Sequence, residues 1–166
     1  MSGGNTIGDG SGDVLWLLLD TLGRLRIFDE WESHLESDEA LNDSDKEISV
    51  PADYEWILQS IWVEFTSTAN AGNRQVTIEI QDEADDVIMD IKAGVVQAAS
   101  LAKEYAFYNG AENMGAFVDT DHLSTNLPEI ILDEGYDVRI WDSAAIDAAA
   151  DDMVVQMIVK QRAKES

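Results

Sequence analysis

Beyond residue 47 the apolar side chains of this chain recur at every second position in short runs, and that rhythm restricts the fold more than any other feature. In Ile61-Trp62-Val63-Glu64-Phe65 one parity is wholly apolar. Val76-Thr77-Ile78-Glu79-Ile80 repeats the pattern, and Val87, Met89 and Ile91 continue it with Asp90 and Lys92 on the opposite side. Successive side chains of a strand point to opposite faces, so runs of this kind read as strands with one face in a core.

Turn chemistry separates the runs. Asn70-Ala71-Gly72-Asn73 and Gln81 to Asp86 lie between the first three, and Asn109-Gly110, Leu127-Pro128 and Glu134-Gly135 punctuate further runs at 95–101, 104–108, 130–132, 136–141 and 153–159. About nine or ten short strands with Gly, Asn and Pro turns predict an all-β, antiparallel sandwich and not an α/β fold. Only Asp142 to Asp152, with Ala144, Ala145, Ala148, Ala149 and Ala150, has helix propensity, and one short helix is expected there.

Ahead of the sandwich the pattern changes. Residues 1–12 carry Gly, Ser, Asn and Asp with little apolar content and read as a flexible N-terminal tail. Val14 to Leu19 and Arg24 to Phe28 flank Asp20-Thr21-Leu22-Gly23 and predict a hairpin, followed to residue 46 by an acidic segment readable as a loop or a short helix. The sandwich domain is expected over 47–166.

The 166 residues hold 34 acids against 10 Lys and Arg, a formal net charge of −24. Such a surface repels a phosphate backbone, so direct nucleic-acid binding is not expected. It keeps a chain in solution while making the compact state repel itself, so salt or bound cations are expected to stabilise the fold. Cysteine is absent, and no run of about 18 uncharged apolar residues marks a membrane span. Val14 to Leu19 lacks the basic start of an export signal.

Signals for chemistry are sparse. The two histidines, His34 and His122, lie in unrelated segments without metal-ligand spacing, and no G-x-S-x-G surrounds a serine, so an enzyme is not expected. Carboxylates cluster at Asp82, Asp85 and Asp86 and at Asp119 and Asp121, oxygen sets that suit Ca²⁺ although neither matches the EF-hand spacing. They are the candidate metal residues, with a solvated hairpin tip as the plainer reading. There are five tryptophans, and an aromatic residue on an exposed face can stack on a sugar or fill an interface, with partial burial at the sandwich rim as the plainer reading. Strand parity puts Trp62 beside Glu64 and Trp141 beside Arg139, away from a core formed by the other parity. With Trp56 and Ile158 they form the candidate subunit interface; a carbohydrate-binding module using Trp62 and Trp141 is the alternative.

The segments from Trp56 through Glu64, Gly72 to Val76 and Ile91 to Gly94, together with Leu127-Pro128-Glu129-Ile130-Ile131-Leu132 through Tyr136 to Ile140, resemble small β-sandwich virion proteins of tailed bacteriophages. The likeness covers roughly residues 47–161 and lies in strand grammar, so it carries no functional residue across. It implies a jelly-roll-like module that decorates or cements a capsid, commonly as a trimer bound to the major capsid protein, or else a neck or tail component. The acidic balance favours the outer head surface over one facing packaged DNA.

Overall fold

Thr6 and Ile7 are adjacent β-branched residues within the first twelve, and branching at Cβ favours the extended backbone. In the computed structural model, which describes residues 6–8, 14–16, 31–110 and 120–164, strand β1 (Thr6–Gly8) pairs antiparallel with β2 (Val14–Trp16). Part of the expected tail is therefore strand, and Arg24 to Phe28, the expected hairpin partner of β2, lies outside the described residues. The chain divides into two compact units, Met1–Glu30 and Trp31–Ser166.

The second unit is all-β among its described residues. The acidic segment left open as loop or helix forms β3 (Glu32–Asp38) and β4 (Asp45–Ser49). Then come β5 (Tyr54–Thr66), β6 (Val76–Gln81), β7 (Val87–Lys92), β8 (Ala102–Asn109), β9 (His122–Leu127), β10 (Ile131–Leu132), β11 (Asp137–Asp142) and β12 (Asp152–Ala163). One sheet runs β3-β12-β5-β8-β9, with β10 also paired to β5; the other runs β4-β11-β6-β7. All pairs are antiparallel except β8 with β9.

The two sheets share one apolar core, the layout of a β-sandwich. Val63 lies across from Val155 and Tyr105, and Ile61 from Met157 and Phe107, facing Val76, Ile78, Ile80, Val138 and Ile140 of the other sheet. Each fully buried large side chain contributes about 1.5–3 kcal/mol.

Strand β5 does not keep one parity. Ile158 pairs with Ser60 but Val159 pairs with Leu58, so Gln59 is an extra residue and the strand bulges there. A one-residue insertion flips every later side chain to the other face. Trp56 and Leu58 therefore point inward ahead of the bulge, and Ile61, Val63 and Phe65 point inward after it.

The expected helix over Asp142 to Asp152 is not formed. The alanines favour helix by about half a kcal/mol each over ordinary residues, but tertiary bonds hold the backbone otherwise. Ser143 N–H donates to Gln75 O (3.1 Å) and Ser44 N–H to Ala148 O (2.9 Å). Asp142 Oδ1 accepts from Gln75 N (2.8 Å) and Ala144 N (3.0 Å). Asp147 Oδ2 accepts from Thr68 Oγ1 (2.7 Å) and Asn70 Nδ2 (2.6 Å). Ala145 takes a positive φ of 48°, which no right-handed helix permits.

Candidate functional site

The outward face of the larger sheet is set by register, row by row. Leu35, Ile158, Ser60 and Tyr108 form one row across β3, β12, β5 and β8. Gln156, Trp62, Ala106 and Ser124 form the next, and Val154, Glu64, Glu104 and His122 a third. On the β3–β12 side the face is open and apolar: Leu35 is 61% exposed and Ile158 46%.

On the β5–β8–β9 side the same face sinks into a cleft of about 360 Å³. Its cause is residue size. Ala106 and Ser124 are small and follow the indole of Trp62 along the middle row, whereas Tyr108 rises on one side and Glu104 with His122 on the other. Residues four apart on a strand are about 13 Å apart by strand rise, which fixes the span between Tyr108 and Glu104. The His122 imidazole Nε2 lies 3.1 Å from Glu104 Oε2. The indole N–H of Trp62 and the hydroxyls of Tyr108 and Ser124 make no hydrogen bond to the described residues. A smaller depression of about 140 Å³ adjoins it through Glu104 and His122, where Lys103 Nζ donates to Thr120 O and lies 3.6 Å from Asp121. A half-buried indole, a phenol and unmet donors around one hollow are suited to holding a ring-shaped ligand with oxygen acceptors.

The four expected interface residues separate. Trp62 and Ile158 occupy adjacent rows of this face. Trp141 lies on the smaller sheet, half-buried, with the Arg139 guanidinium 4.2 Å over its ring and Arg139 held by Asp45 (2.7 Å). Trp56 is fully buried, its Nε1 donating to Gln161 Oε1 (3.3 Å), so it cannot meet a partner; the Gln59 bulge is why parity counted from Trp62 misplaced it.

The acidic residues do not converge: no group of three or more His, Cys, Asp or Glu placed to hold a metal occurs among the described residues. Asp82 caps its own turn, Oδ1 accepting from Ala84 N (2.9 Å) and Asp86 N (3.1 Å), while Asp85 sits at a positive φ of 62°. Asp121 is exposed beside Lys103, and Asp119 lies outside the described residues. His34 sits on β3, 3.3 Å from Glu36. Tyr108, Ala106 and Ser124 are not legible together in the sequence because Ser124 meets the other two only through the parallel pairing of β8 with β9, whose first residue is His122.

No family model and no curated protein matches the chain. Among solved structures, a chain in the structure of the infectious bursal disease virus Gx strain is similar, at 7% identity and a TM-score of 0.29, over 96% of this chain and 32% of that one. This chain thus spans about a third of that one's length, a likeness too distant to carry function.

Proposed function

We propose that this protein is a non-catalytic structural component of a virion, working on the outer head surface by association with itself and with the capsid. The observation that carries the reading is strand order. The four-strand run β3-β12-β5-β8 faces β4-β11-β6-β7, so within the second unit the first strand, β3, neighbours the last, β12, and the chain crosses between the sheets at β3–β4, β4–β5, β5–β6, β7–β8, β10–β11 and β11–β12. That order supports a jelly roll, an architecture used by capsid and lectin domains. Its interior is filled by Ile, Val, Phe, Met and Leu side chains, which leaves recognition to the outer surfaces.

Charge and apolar area support the location and the mode of binding. Most bases of the described residues are already matched internally, as in Arg74–Asp151, Arg139–Asp45 and Arg162–Glu55, so the outer surface is strongly acidic and suited to solvent rather than to packaged phosphates. Against that surface, Leu35 and Ile158 with half-buried Val154 offer an apolar lane across β3 and β12 for a second copy, assembled as a trimer in keeping with the sequence resemblance. Mass spectrometry of purified virions tests the reading. Abundance comparable to the major capsid protein is expected; a trace amount would point to the neck or tail, and absence would overturn the virion assignment.

A further inference from the structure

We propose that the cleft between Trp62, Tyr108 and the Glu104–His122 pair is a binding site for a neutral pyranose sugar. The inference goes beyond the structural role above and does not depend on it. A sugar ring presents two kinds of surface: a face of C–H groups that packs on aromatic rings, and an edge of hydroxyls that both donate and accept hydrogen bonds. Both find counterparts here. The Trp62 indole walls one end of the middle row and Tyr108 one flank, while the floor at Ala106 and Ser124 is low enough for a ring to enter. A volume of about 360 Å³ lies at the small end of ligand sites, which run from about 300 to 1,000 Å³.

The polar groups choose among occupants. An aromatic wall beside a carboxylate also suits an organic cation, but the Glu104 carboxylate already meets His122 at 3.1 Å. The groups without a partner among the described residues are donors or hydroxyls: the Trp62 N–H, the Tyr108 hydroxyl and the Ser124 hydroxyl. A cation cannot accept from them, whereas sugar oxygens do. A purely apolar ligand would leave them desolvated, at roughly 1–3 kcal/mol each. Anionic sugars are disfavoured by Glu104 in the cleft, by Glu64 and Asp121 in the depression that adjoins it, and by the net charge of −24.

Saturation-transfer NMR on the full chain tests the assignment, with methyl glycosides of glucose, galactose, mannose and N-acetylglucosamine as probes. Methyl sialoside and tetramethylammonium serve as the anionic and cationic probes. At least one neutral glycoside is expected to receive saturation, and Trp62→Ala is expected to weaken its binding about tenfold or more. Ala106→Leu, which fills the floor and keeps the indole, should abolish it, and this second variant covers the case in which Trp62→Ala does not fold. The proposal is overturned if no neutral glycoside receives saturation, if tetramethylammonium alone does, or if binding survives in both variants.

Discussion

Arg74 and Asp151, 77 residues apart in sequence, form a two-pronged ion pair shut off from solvent: Nε lies 2.8 Å from Oδ2 and Nη2 3.2 Å from Oδ1. Arg74 also donates to the carbonyls of Asn70 (2.8 Å) and Gly72 (3.1 Å), and Thr68 N–H donates to Asp151 (2.6 Å). The pair ties the β5–β6 connection to the segment ahead of β12, which is the segment that alanine content alone would have made helical.

Breaking it from one side is expected to be costly. Asp151→Leu or Arg74→Met leaves the other charge buried without its partner, a loss of about 3–5 kcal/mol, whereas the two substitutions together should cost less than the sum of the singles. Urea unfolding of the three variants measures this, and strictly additive losses would contradict it.

Acid should weaken the same clasp. Burial alone would raise the Asp151 carboxyl, but the bonds from Arg74 and Thr68 outweigh it and hold the group below its ordinary value. A depressed carboxylate adds stability above its unfolded pKa of about 3.9, and that stability is lost as pH falls through the lower folded value. Thermal melts should therefore show an acid-sensitive increment below about pH 4 in the wild type that Asp151→Asn lacks.

Alkali acts through Tyr105. Its hydroxyl donates to Gln97 Oε1 (3.0 Å), and burial, aided by the charge of Asp142, pushes its pKa up to about 12. The unfolded chain releases this proton near pH 10, so stability is complete below that pH and falls as pH rises toward 12. Absorbance of tyrosinate should show one of the four tyrosines ionising late, and Tyr105→Phe should flatten the loss of stability.

Lys46 closes the β3–β4 connection from inside. Its side chain is 1% exposed, and its ammonium reaches Ala40 O (2.7 Å), Asn42 Oδ1 (2.5 Å), Asp38 Oδ1 (3.3 Å) and Asp43 Oδ1 (3.3 Å). Lys46→Met leaves those oxygens facing one another. The expected loss is about 1–3 kcal/mol, limited because both carboxylates keep about a third of their exposure. Ca²⁺ suits such an oxygen set, so it should raise the melting temperature of the variant more than that of the wild type; equal shifts would refute the comparison.

How far the sequence reached depends on the element. Period-two runs located β6, β8 and β11 because each keeps one parity with a face in the core, and they located β7 only in part: Met89 and Ile91 pack on the core, but Ile88 is an extra residue in the ladder and leaves Val87 exposed, off the expected face. The same rule misplaced Trp56, since nothing in Leu58-Gln59-Ser60 announces that Gln59 is an extra residue in the ladder. It missed β9, whose His122-Leu123-Ser124-Thr125-Asn126 is mostly polar and is held by a parallel neighbour. The cleft follows from that pairing, so Trp62 was visible as an outward aromatic while the residues that hollow the surface beside it were not. Asp142 to Asp152 shows local propensity yielding to long-range bonds from Ser44, Thr68 and Gln75.

Self-association through the outer face of the larger sheet is the most exposed part of the account, and light scattering after size exclusion, at low and high salt, tests it most directly. An oligomer, most simply a trimer, is expected, tightening as salt screens the net charge of −24. Ile158→Asp, at a residue 46% exposed on that face, should release monomer without unfolding the chain. A wild-type monomer at every salt concentration, or an Ile158→Asp oligomer as stable as the wild type, would contradict the account.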